Sequence, residues 1–284
     1  MGKKLKRLLI NKLKEKIPSN LLQLIPAHYF LIDKTVILTL HEKLIPWEKE
    51  IGNAILELFP YVRTVARKVG PFEGVKKQPQ IRIIAGEEQT EIIHKENKVY
   101  FKFDFTKIEF SKGNKSERMR IAKAVKPNET LVDMFAGIGY FSIPIAVYSN
   151  VKKIYAIDIN PIAIHYLKEN ARINKVSHKI IPILSDCRKV ANELQGIADR
   201  VIMGYIPFSR NFLGAAFKFF KTKGVLHWHE TFHKTELWEK PINLIKEEAE
   251  KYGYRVNSIP YKKIVKSYAP KIYHVVIDVE VEKL

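Results

Sequence analysis

The sequence predicts an α/β fold in which a seven-stranded, largely parallel sheet follows a smaller α+β domain, and three observations predict it. From Glu117 onward, apolar strand patterns alternate regularly with helical patterns, as in parallel sheets that carry helices on both faces. The last two strand patterns follow each other directly and end in strict apolar–polar alternation, which is typical of an antiparallel edge. Up to about Lys112 the chain instead mixes helical segments with short alternating strands.

The N-terminal part, residues 1–110, is interpreted as the α+β domain. It begins with a lysine-rich helical pattern, which we interpret as a helix docked on the domain rather than an anchor on a membrane surface. A helix follows in "WEKEIGNAILELF", and strands follow in "QIRIIAG", "QTEIIH" and "KVYFKFDFTKIEF". The boundary of the domain lies near "FSKGNKSER". The apolar residues of the first helix recur at helical spacing: Leu5, Leu8, Leu9, Leu13 and Ile17.

The C-terminal part, residues 111–284, carries the seven predicted strands. The first five alternate with helices, and the last two form the antiparallel edge. This layout is that of a class I methyltransferase-like (Rossmann-like) sheet, and a dinucleotide-binding sheet is the rival interpretation. The strands are predicted in "TLVDMFA", "KIYAIDI", "KIIPILSD", "ADRVIMGYI", "GVLHWHE", "NSIPYKKIVKSY" and "YHVVIDVEVEKL".

The composition indicates a soluble protein that binds a polyanion. Among 284 residues, 49 Lys and Arg oppose 30 Asp and Glu, which gives a net charge of +19. Such a charge favours nucleic acid as the partner, with an anionic membrane as the second choice. No segment approaches the roughly 20 apolar residues of a membrane span. The single cysteine, Cys187, excludes an internal disulfide and fits the reducing cytoplasm.

A glycine-rich turn, "DMFAGIG", ends the first strand of the predicted sheet. Gly137 and Gly139 let the backbone approach a ligand closely, because they carry no side chain. A dinucleotide fingerprint requires a third glycine three residues later, where this chain has Ser142. The turn therefore disfavours a dinucleotide-dependent oxidoreductase, and we expect Gly137 and Phe135 to contact a different cofactor.

Acidic residues end the next two strands. Asp158 follows the glycine turn by about 20 residues, the spacing at which an acid accepts hydrogen bonds from a ribose. Asn160 is the predicted N-cap of the following helix, so capping does not explain Asp158. Asp186 and Cys187 end the third strand, where an adenine amino group would meet them. Three strand ends thus predict a nucleoside site, in which Cys187 is a small packed residue rather than a nucleophile.

Two further segments limit the chemistry. Methyltransferases that act on nitrogen commonly place Asn or Asp after the fourth strand to accept the substrate N–H, but "MGYIPFS" has Gly204 there. His227 and His229 lie on one face of the fifth strand. We interpret them as a polar cluster, because no third ligand stands at strict spacing, and we expect no metal.

The chain resembles a family of archaeal enzymes of tRNA wybutosine synthesis. They transfer the 3-amino-3-carboxypropyl group of S-adenosylmethionine to C7 of 4-demethylwyosine at position 37 of phenylalanine tRNA. The related tRNA guanosine-37 N1-methyltransferases share the phenylalanine–serine and glutamate–arginine signature, but they carry an asparagine where this chain has Gly204. The resemblance rests on "FSKGNKSERMRIAKAVKPNETLVDMFAGIGYFSIPIAVY", "ADRVIMGYI" and "SYAPKIYHVVIDVEV".

The resemblance implies S-adenosylmethionine as group donor and methylthioadenosine as by-product. It implies that Ser111 and Arg118 hold the methionine part, that Asp158 binds the ribose, and that Asp186 with Cys187 receives the adenine. We expect a cytoplasmic monomer that binds the anticodon loop of phenylalanine tRNA. The sequence names no catalytic residue. Phosphate contacts are expected from basic residues near the signature and near the C-terminus: Lys107, Lys112, Lys115, Arg120, Lys123, Lys262, Lys263, Lys266 and Lys271.

Two alternatives remain open on the sequence alone. The first is a tRNA guanosine-37 N1-methyltransferase, which has the same fold and transfers a different carbon. The second is a non-catalytic RNA-binding scaffold that has lost the use of the cofactor. Gly204 bears on the first alternative, and measurable cofactor binding would exclude the second.

Overall fold

The computed structural model describes residues 2–74 and 77–284, without the side chains of Gly2, Lys3 and Lys112. The described chain forms two compact units. The first contains the residues up to Lys95 together with Phe101–Phe110, and the second contains Glu96–Tyr100 and Ser111–Leu284. Throughout the described residues, every helix is too short or too polar to cross a membrane.

The first unit is built on a four-stranded sheet. The strands are β1 (Phe30–Ile32), β2 (Thr35–Leu38), β3 (Thr64–Lys68) and β4 (Ile81–Gly86), in that spatial order. β2 and β3 are parallel, and the other two pairs are antiparallel. A separate two-stranded sheet pairs β5 (Glu91–Glu96) with β6 (Val99–Asp104). The helices are α1 (Gly2–Leu13), α2 (Ser19–Leu22) and α3 (Glu48–Leu58).

The apolar faces of α1 and α3 form the core of this unit. Leu5, Leu9 and Leu13 of α1 are buried together with Ile51 and Ile55 of α3. The lysines between the leucines remain at the surface or half-buried. The prediction of a docked amphipathic helix is thereby confirmed, because the leucine face of α1 packs in the core of this unit. The strands β1 to β3 have only three to five residues each. The sequence pattern does not predict them, because such short segments show too little alternation of apolar and polar residues.

The second unit contains one seven-stranded sheet, as predicted. Its spatial order is β12-β13-β11-β10-β7-β8-β9. The five strands from β11 to β9 are parallel, and β13 pairs antiparallel with both β11 and β12. The strands are β7 (Thr130–Asp133), β8 (Lys153–Asp158), β9 (Ile180–Leu184), β10 (Ala198–Met203), β11 (Phe220–His233), β12 (Tyr254–Ala269) and β13 (Ile272–Lys283).

Six helices accompany the sheet. α6 shows why the chain turns helical where it does: the Asn160 side chain accepts a hydrogen bond from the Ile162 N–H at 3.0 Å, and Pro161 occupies the first helical position. The core includes the buried aromatic side chains of Phe217, Phe220 and Trp228. The helices are α4 (Lys115–Ala124), α5 (Ser142–Tyr148), α6 (Pro161–Ile173), α7 (Cys187–Glu193), α8 (Leu213–Phe219) and α9 (Glu239–Lys251).

The parallel strands determine where a site can form. Because β7 to β11 run in the same direction, the loops after them leave one edge of the sheet. The strand order also reverses at β7, since β8 lies on one side of it and β10 on the other. In open α/β sheets, ligands bind at the carboxyl ends of the strands beside such a reversal. The glycine turn after β7 lies at this position.

Candidate functional site

The turn after β7 requires both of its glycines. Gly137 has a φ of +55° and Gly139 a φ of +94°, which are backbone conformations that L side chains rarely adopt. A Cβ atom on Gly139 would lie 2.5 Å from Ile143 Cγ1 and 2.8 Å from Leu167 Cδ1. The turn can therefore pass over α5 and α6 only with glycine at this position.

Asp158 joins the end of β8 to this turn. Its Oδ2 accepts a hydrogen bond from the Gly137 N–H at 2.8 Å, and its Oδ1 accepts one from the Asn160 N–H at 2.8 Å. Burial raises the pKa of Asp158, although the backbone hydrogen bonds favour the ionised form. One carboxylate thus holds two neighbouring strand ends in register, at the position predicted to bind a ribose.

Asp133, the last residue of β7, is a buried acid that no sequence motif marks as a site residue. It is fully buried, and its Oδ2 accepts a hydrogen bond from the Ser142 hydroxyl at 2.7 Å. Burial raises the pKa of Asp133 to about 6, and the charge of Asp158 adds to the effect. The sequence signal for this residue is its position, since an acid within the apolar run immediately before the glycine turn is unusual.

The residues after β9 are engaged by their own helix. Asp186 is the N-cap of α7 and accepts a hydrogen bond from the Arg188 N–H at 2.8 Å. An ion pair with the Arg188 guanidinium at 2.6 Å holds the pKa of Asp186 below its usual range. Cys187 is buried, and burial raises the pKa of its thiol to about 12. This placement fits the predicted packing role and does not provide a thiolate.

Two exposed apolar side chains accompany the acids at this edge, and the sequence did not single them out. Ile159 directly follows Asp158 and is 43% exposed, while Leu184 ends β9 and is 54% exposed. Apolar side chains that remain exposed beside polar strand ends are typical of the lining of a small-molecule site. In the sequence, such lining residues could be recognised as large apolar residues close to an acid that follows a strand.

Ser111 and Arg118 come together in the second unit. The Arg118 guanidinium, 2% exposed, donates to the Ser111 carbonyl oxygen at 2.7 Å and to Glu96 Oε1 at 2.9 Å. It also lies 5.2 Å from the centre of the Tyr140 ring, which follows the glycine turn. Ser111 Oγ accepts a hydrogen bond from Lys266 Nζ at 3.1 Å. Because Arg118 forms a buried ion pair with Glu96, replacing it would disturb the fold as well as any ligand.

The loop after β10 packs against the glycine turn. The Tyr205 ring stacks on the Phe135 ring with their centres 5.2 Å apart, and Phe212 meets Phe135 edge-on at 5.1 Å. Burial raises the pKa of Tyr205. A Cβ atom on Gly204 would lie 2.9 Å from the Phe141 ring. The loop therefore has no space for a larger side chain at position 204 unless Phe141 moves.

The two predicted cluster histidines, His227 and His229, are buried and have different partners. His227 lies between Asp278 Oδ1, at 2.7 Å from its Nδ1, and Arg200 Nη1, at 2.6 Å from its Nε2. His229 Nδ1 lies 3.0 Å from His274 Nε2. Within residues 2–74 and 77–284, no three His, Cys, Asp or Glu side chains are grouped so that they could hold a metal ion. Through their hydrogen bonds to Asp278 and His274, the two histidines belong to a polar cluster on β11 and β13.

Two protein-family models match this chain. The model described as "TRM5/TYW2 methyltransferase domain" matches residues 92–257, which is more than half of the sequence. The chain belongs to the TRM5/TYW2 family. A second model, described as "TYW2 N-terminal domain", matches residues 9–90 of this TRM5/TYW2-family protein.

Curated and solved members of the TRM5/TYW2 family are similar over most of the chain. The tRNA(Phe) (4-demethylwyosine(37)-C(7)) aminocarboxypropyltransferase of Methanocaldococcus jannaschii is 48% identical over 211 residues, 74% of this chain and 83% of that protein. The tRNA (guanine(37)-N(1))-methyltransferase Trm5b of Pyrococcus abyssi is 36% identical over 265 residues, 93% of this chain and 78% of that protein.

A solved structure confirms the predicted class I methyltransferase-like fold. The crystal structure of P. horikoshii TYW2 in complex with MeSAdo superposes with a TM-score of 0.83 at 33% identity. The match covers 98% of this chain and 100% of that one. Sequence and structure therefore agree on the family, whose members carry out more than one reaction.

Proposed function

We propose that this TRM5/TYW2-family protein transfers the 3-amino-3-carboxypropyl group of S-adenosylmethionine to C7 of 4-demethylwyosine at position 37 of phenylalanine tRNA, and releases methylthioadenosine. The relative that is 48% identical carries the name of this reaction. The match of residues 9–90 to the TYW2 N-terminal domain supports the same choice. The observation that carries the proposal is the loop at Gly204.

Gly204 bears on whether a carbon or a nitrogen of the base is the nucleophile. A nitrogen that is methylated carries an N–H, and a side-chain oxygen after the fourth strand can accept a hydrogen bond from it. Gly204 has no such oxygen, and the Phe141 ring lies 2.9 Å from the place of a Cβ atom. A carbon nucleophile presents no N–H of this kind. The loop thus suits transfer to C7 and is poorly suited to methylation of guanosine N1.

The described residues fit S-adenosylmethionine at the carboxyl edge of the sheet. An ionised carboxylate has about four acceptor positions, and the backbone hydrogen bonds that Asp158 accepts from Gly137, Ile159 and Asn160 leave one of them for a ribose hydroxyl. The exposed side chains of Ile159 and Leu184 provide apolar surface for an adenine ring, next to Asp186 and Cys187. Gly137 lets the backbone approach the ligand, and Phe135 adds an aromatic face beside it.

The methionine end is assigned to Ser111 and Arg118. Ser111 provides a hydroxyl and Lys266 a positive charge beside it, while the buried Arg118 keeps the Ser111 backbone in place through its carbonyl oxygen. When bound, the sulfonium of S-adenosylmethionine supplies an already activated leaving group, and the carbon that faces the nucleophile is the one transferred. The protein contributes orientation and electrostatic stabilisation.

For the substrate side, we propose that a monomer binds the anticodon loop of phenylalanine tRNA in the cytoplasm. The net charge of +19 supports a polyanionic partner, and both curated relatives are named for reactions at tRNA position 37. Phosphate contacts release counterions, so the affinity for tRNA is expected to fall by orders of magnitude as salt rises from 50 to 200 mM. An affinity independent of salt would contradict this assignment.

Isotope transfer tests the proposed reaction. The protein is incubated with phenylalanine tRNA that carries 4-demethylwyosine, and with S-adenosylmethionine labelled either in the aminocarboxypropyl carbons or in the methyl group. We expect the first label in the tRNA and the second label in the released nucleoside. Phenylalanine tRNA with unmodified guanosine 37 is the control and should take up neither label. Methyl label in that control would instead favour the Trm5b-like reaction.

A further inference from the structure

Phe208, in the loop after β10, has a backbone conformation that is unfavourable for phenylalanine, and burial of its ring does not compensate for it. Its φ is +80°, and the residue is 61% exposed. Eight non-glycine residues of the described chain have positive φ, and the other seven are aspartate, asparagine or lysine. Asparagine and aspartate tolerate this region, whereas a bulky side chain there is an outlier. A phenylalanine held in a strained backbone and turned toward solvent is therefore expected to serve the function.

A buried carboxylate maintains this conformation. Glu230, near the end of β11, is fully buried, and its side chain accepts hydrogen bonds from the Phe208 N–H at 3.1 Å and the Arg210 N–H at 2.9 Å. The intervening Ser209 hydroxyl donates to the His229 carbonyl oxygen at 2.6 Å and accepts from Trp228 Nε1 at 2.9 Å. Three consecutive residues of the loop are thus attached to the central sheet.

The strand order places Phe208 on the acceptor side of the proposed site. β7 lies between β8, which ends at Asp158, and β10, which leads into the loop. The stacked rings of Phe135 and Tyr205 show that the loop after β10 contacts the turn after β7. If the nucleoside of the donor occupies the β8 and β9 side, the substrate base approaches from the β10 side. Phe208 is the large exposed aromatic of that loop.

We propose that Phe208 is the stacking face for the nucleobase of the RNA substrate, and that Glu230 is the positioning residue that holds it. The inference rests on the proposed function, because it requires a base to enter the site. Bases that are removed from their stack are commonly received by aromatic rings, which tolerate any base because each has a π-face. A ring fixed in advance loses little conformational freedom when the base arrives.

The test compares Phe208→Gly, Phe208→Trp and the control Asn128→Gly. Asn128 is also exposed with positive φ, at +65°, but it precedes β7 and lies at the opposite edge of the sheet. Glycine accepts positive φ, so Phe208→Gly should melt no lower than the wild type. Its kcat/KM for precursor tRNA and its tRNA affinity should fall about 5- to 150-fold, the range that corresponds to loss of one stacking contact. The affinity for S-adenosylmethionine should stay within twofold.

Phe208→Trp should keep activity within about threefold, and Asn128→Gly should match the wild type. A Phe208→Gly variant with wild-type activity would overturn the proposal, and so would one whose melting temperature falls together with its activity. Failure of the wild type to transfer any group would contradict the proposed function, while the tRNA affinities of the variants would still decide the role of Phe208.

The role of Glu230 as a positioning residue is tested by combining its substitution with Phe208→Gly and comparing the losses in kcat/KM. Glu230→Gln keeps the size of the side chain but turns an N–H₂ group toward backbone donors, so the loop loses its position. If Glu230 acts through Phe208, the double variant with Phe208→Gly should have the same kcat/KM as Phe208→Gly alone. Independent, multiplying losses would show that Glu230 does not act through Phe208 and would overturn that part of the proposal.

Discussion

Asp133 and Asp278 are both buried acids of the same sheet, yet their pKa values shift in opposite directions. Burial raises the pKa of Asp133 to about 6, the charge of Asp158 adds to the rise, and the hydrogen bond from the Ser142 hydroxyl offsets only part of it. Burial also disfavours the charge of Asp278, but its hydrogen bonds to His227 and Arg120 outweigh burial and lower its pKa to about 2. The cationic partners of Asp278, which Asp133 does not share, decide the direction of the shift.

Asp278 belongs to a structural ion-pair network, whereas Asp133 lies in the candidate functional site. Asp278 belongs to a chain of alternating charges in which Arg120 also pairs with Glu117 at 2.8 Å, and Arg200 pairs with Glu129 at 2.8 Å. Such a fully paired network stabilises the arrangement of its strands and helices. Asp133 lies beside the glycine turn together with Asp158, whose pKa is also raised. Acids held without a compensating cation are typical of functional sites.

The largest expected effect is on stability, from Asp278→Ala. The change leaves Arg120 and His227 without their shared carboxylate in a buried environment, which should lower the free energy of unfolding by about 3–5 kcal/mol. Urea unfolding measures it. Glu280→Ala, an exposed acid on the same strand, is the control and should change little. Equal stability of the two variants would show that the network does not stabilise the fold.

The second prediction concerns pH. Between about pH 4 and 6 the folded protein retains a proton on Asp133 that the unfolded chain has lost, so the free energy of unfolding falls as pH rises, by at most about 3 kcal/mol. Asp278 acts oppositely: its stabilisation is present above about pH 4 and is lost as pH falls toward 2. In unfolding experiments at pH 4.5 and 6.5, Asp133→Asn should abolish the decrease in the free energy of unfolding that is attributed to Asp133. Parallel pH profiles of variant and wild type would refute the assignment.

A smaller effect is expected on ligand affinity from Asp158→Asn. The substitution removes the charge that is proposed to accept hydrogen bonds from a ribose, and such bonds contribute about 1.5–3 kcal/mol. The affinity for S-adenosylmethionine, measured by calorimetry, should fall about 10- to 150-fold. Asp199→Asn, at the opposite edge of the sheet, is the control and should bind normally. Unchanged affinity in Asp158→Asn would remove this residue from the cofactor site.

The smallest effect is expected at Cys187. Its pKa of about 12 leaves almost no thiolate at pH 8, so iodoacetamide should not modify the folded protein within an hour. Mass spectrometry of samples treated with and without urea measures the modification, and the unfolded sample serves as the positive control. Rapid labelling of the folded protein would show that the thiol is exposed and ionised.

The layout of the sheet and the glycine turn could be predicted from the sequence, because strand periodicity and positive-φ glycines leave local signals. The buried pairing of Arg118 with Glu96 could not, since the partner lies 22 positions away and is brought near only by the fold. Phe208 also gave no signal, because a phenylalanine carries no local preference for positive φ. Its conformation comes from Glu230, a residue of another strand.

The by-product of the reaction tests the central claim most directly. The wild-type protein is incubated with S-adenosylmethionine and phenylalanine tRNA that carries 4-demethylwyosine, and the released nucleoside is identified by liquid chromatography and mass spectrometry. Methylthioadenosine, formed in equal amount to the modified tRNA, is the predicted result, because the chain of three carbons is transferred. S-adenosylhomocysteine would contradict the account, since it would mean that the methyl group is transferred instead.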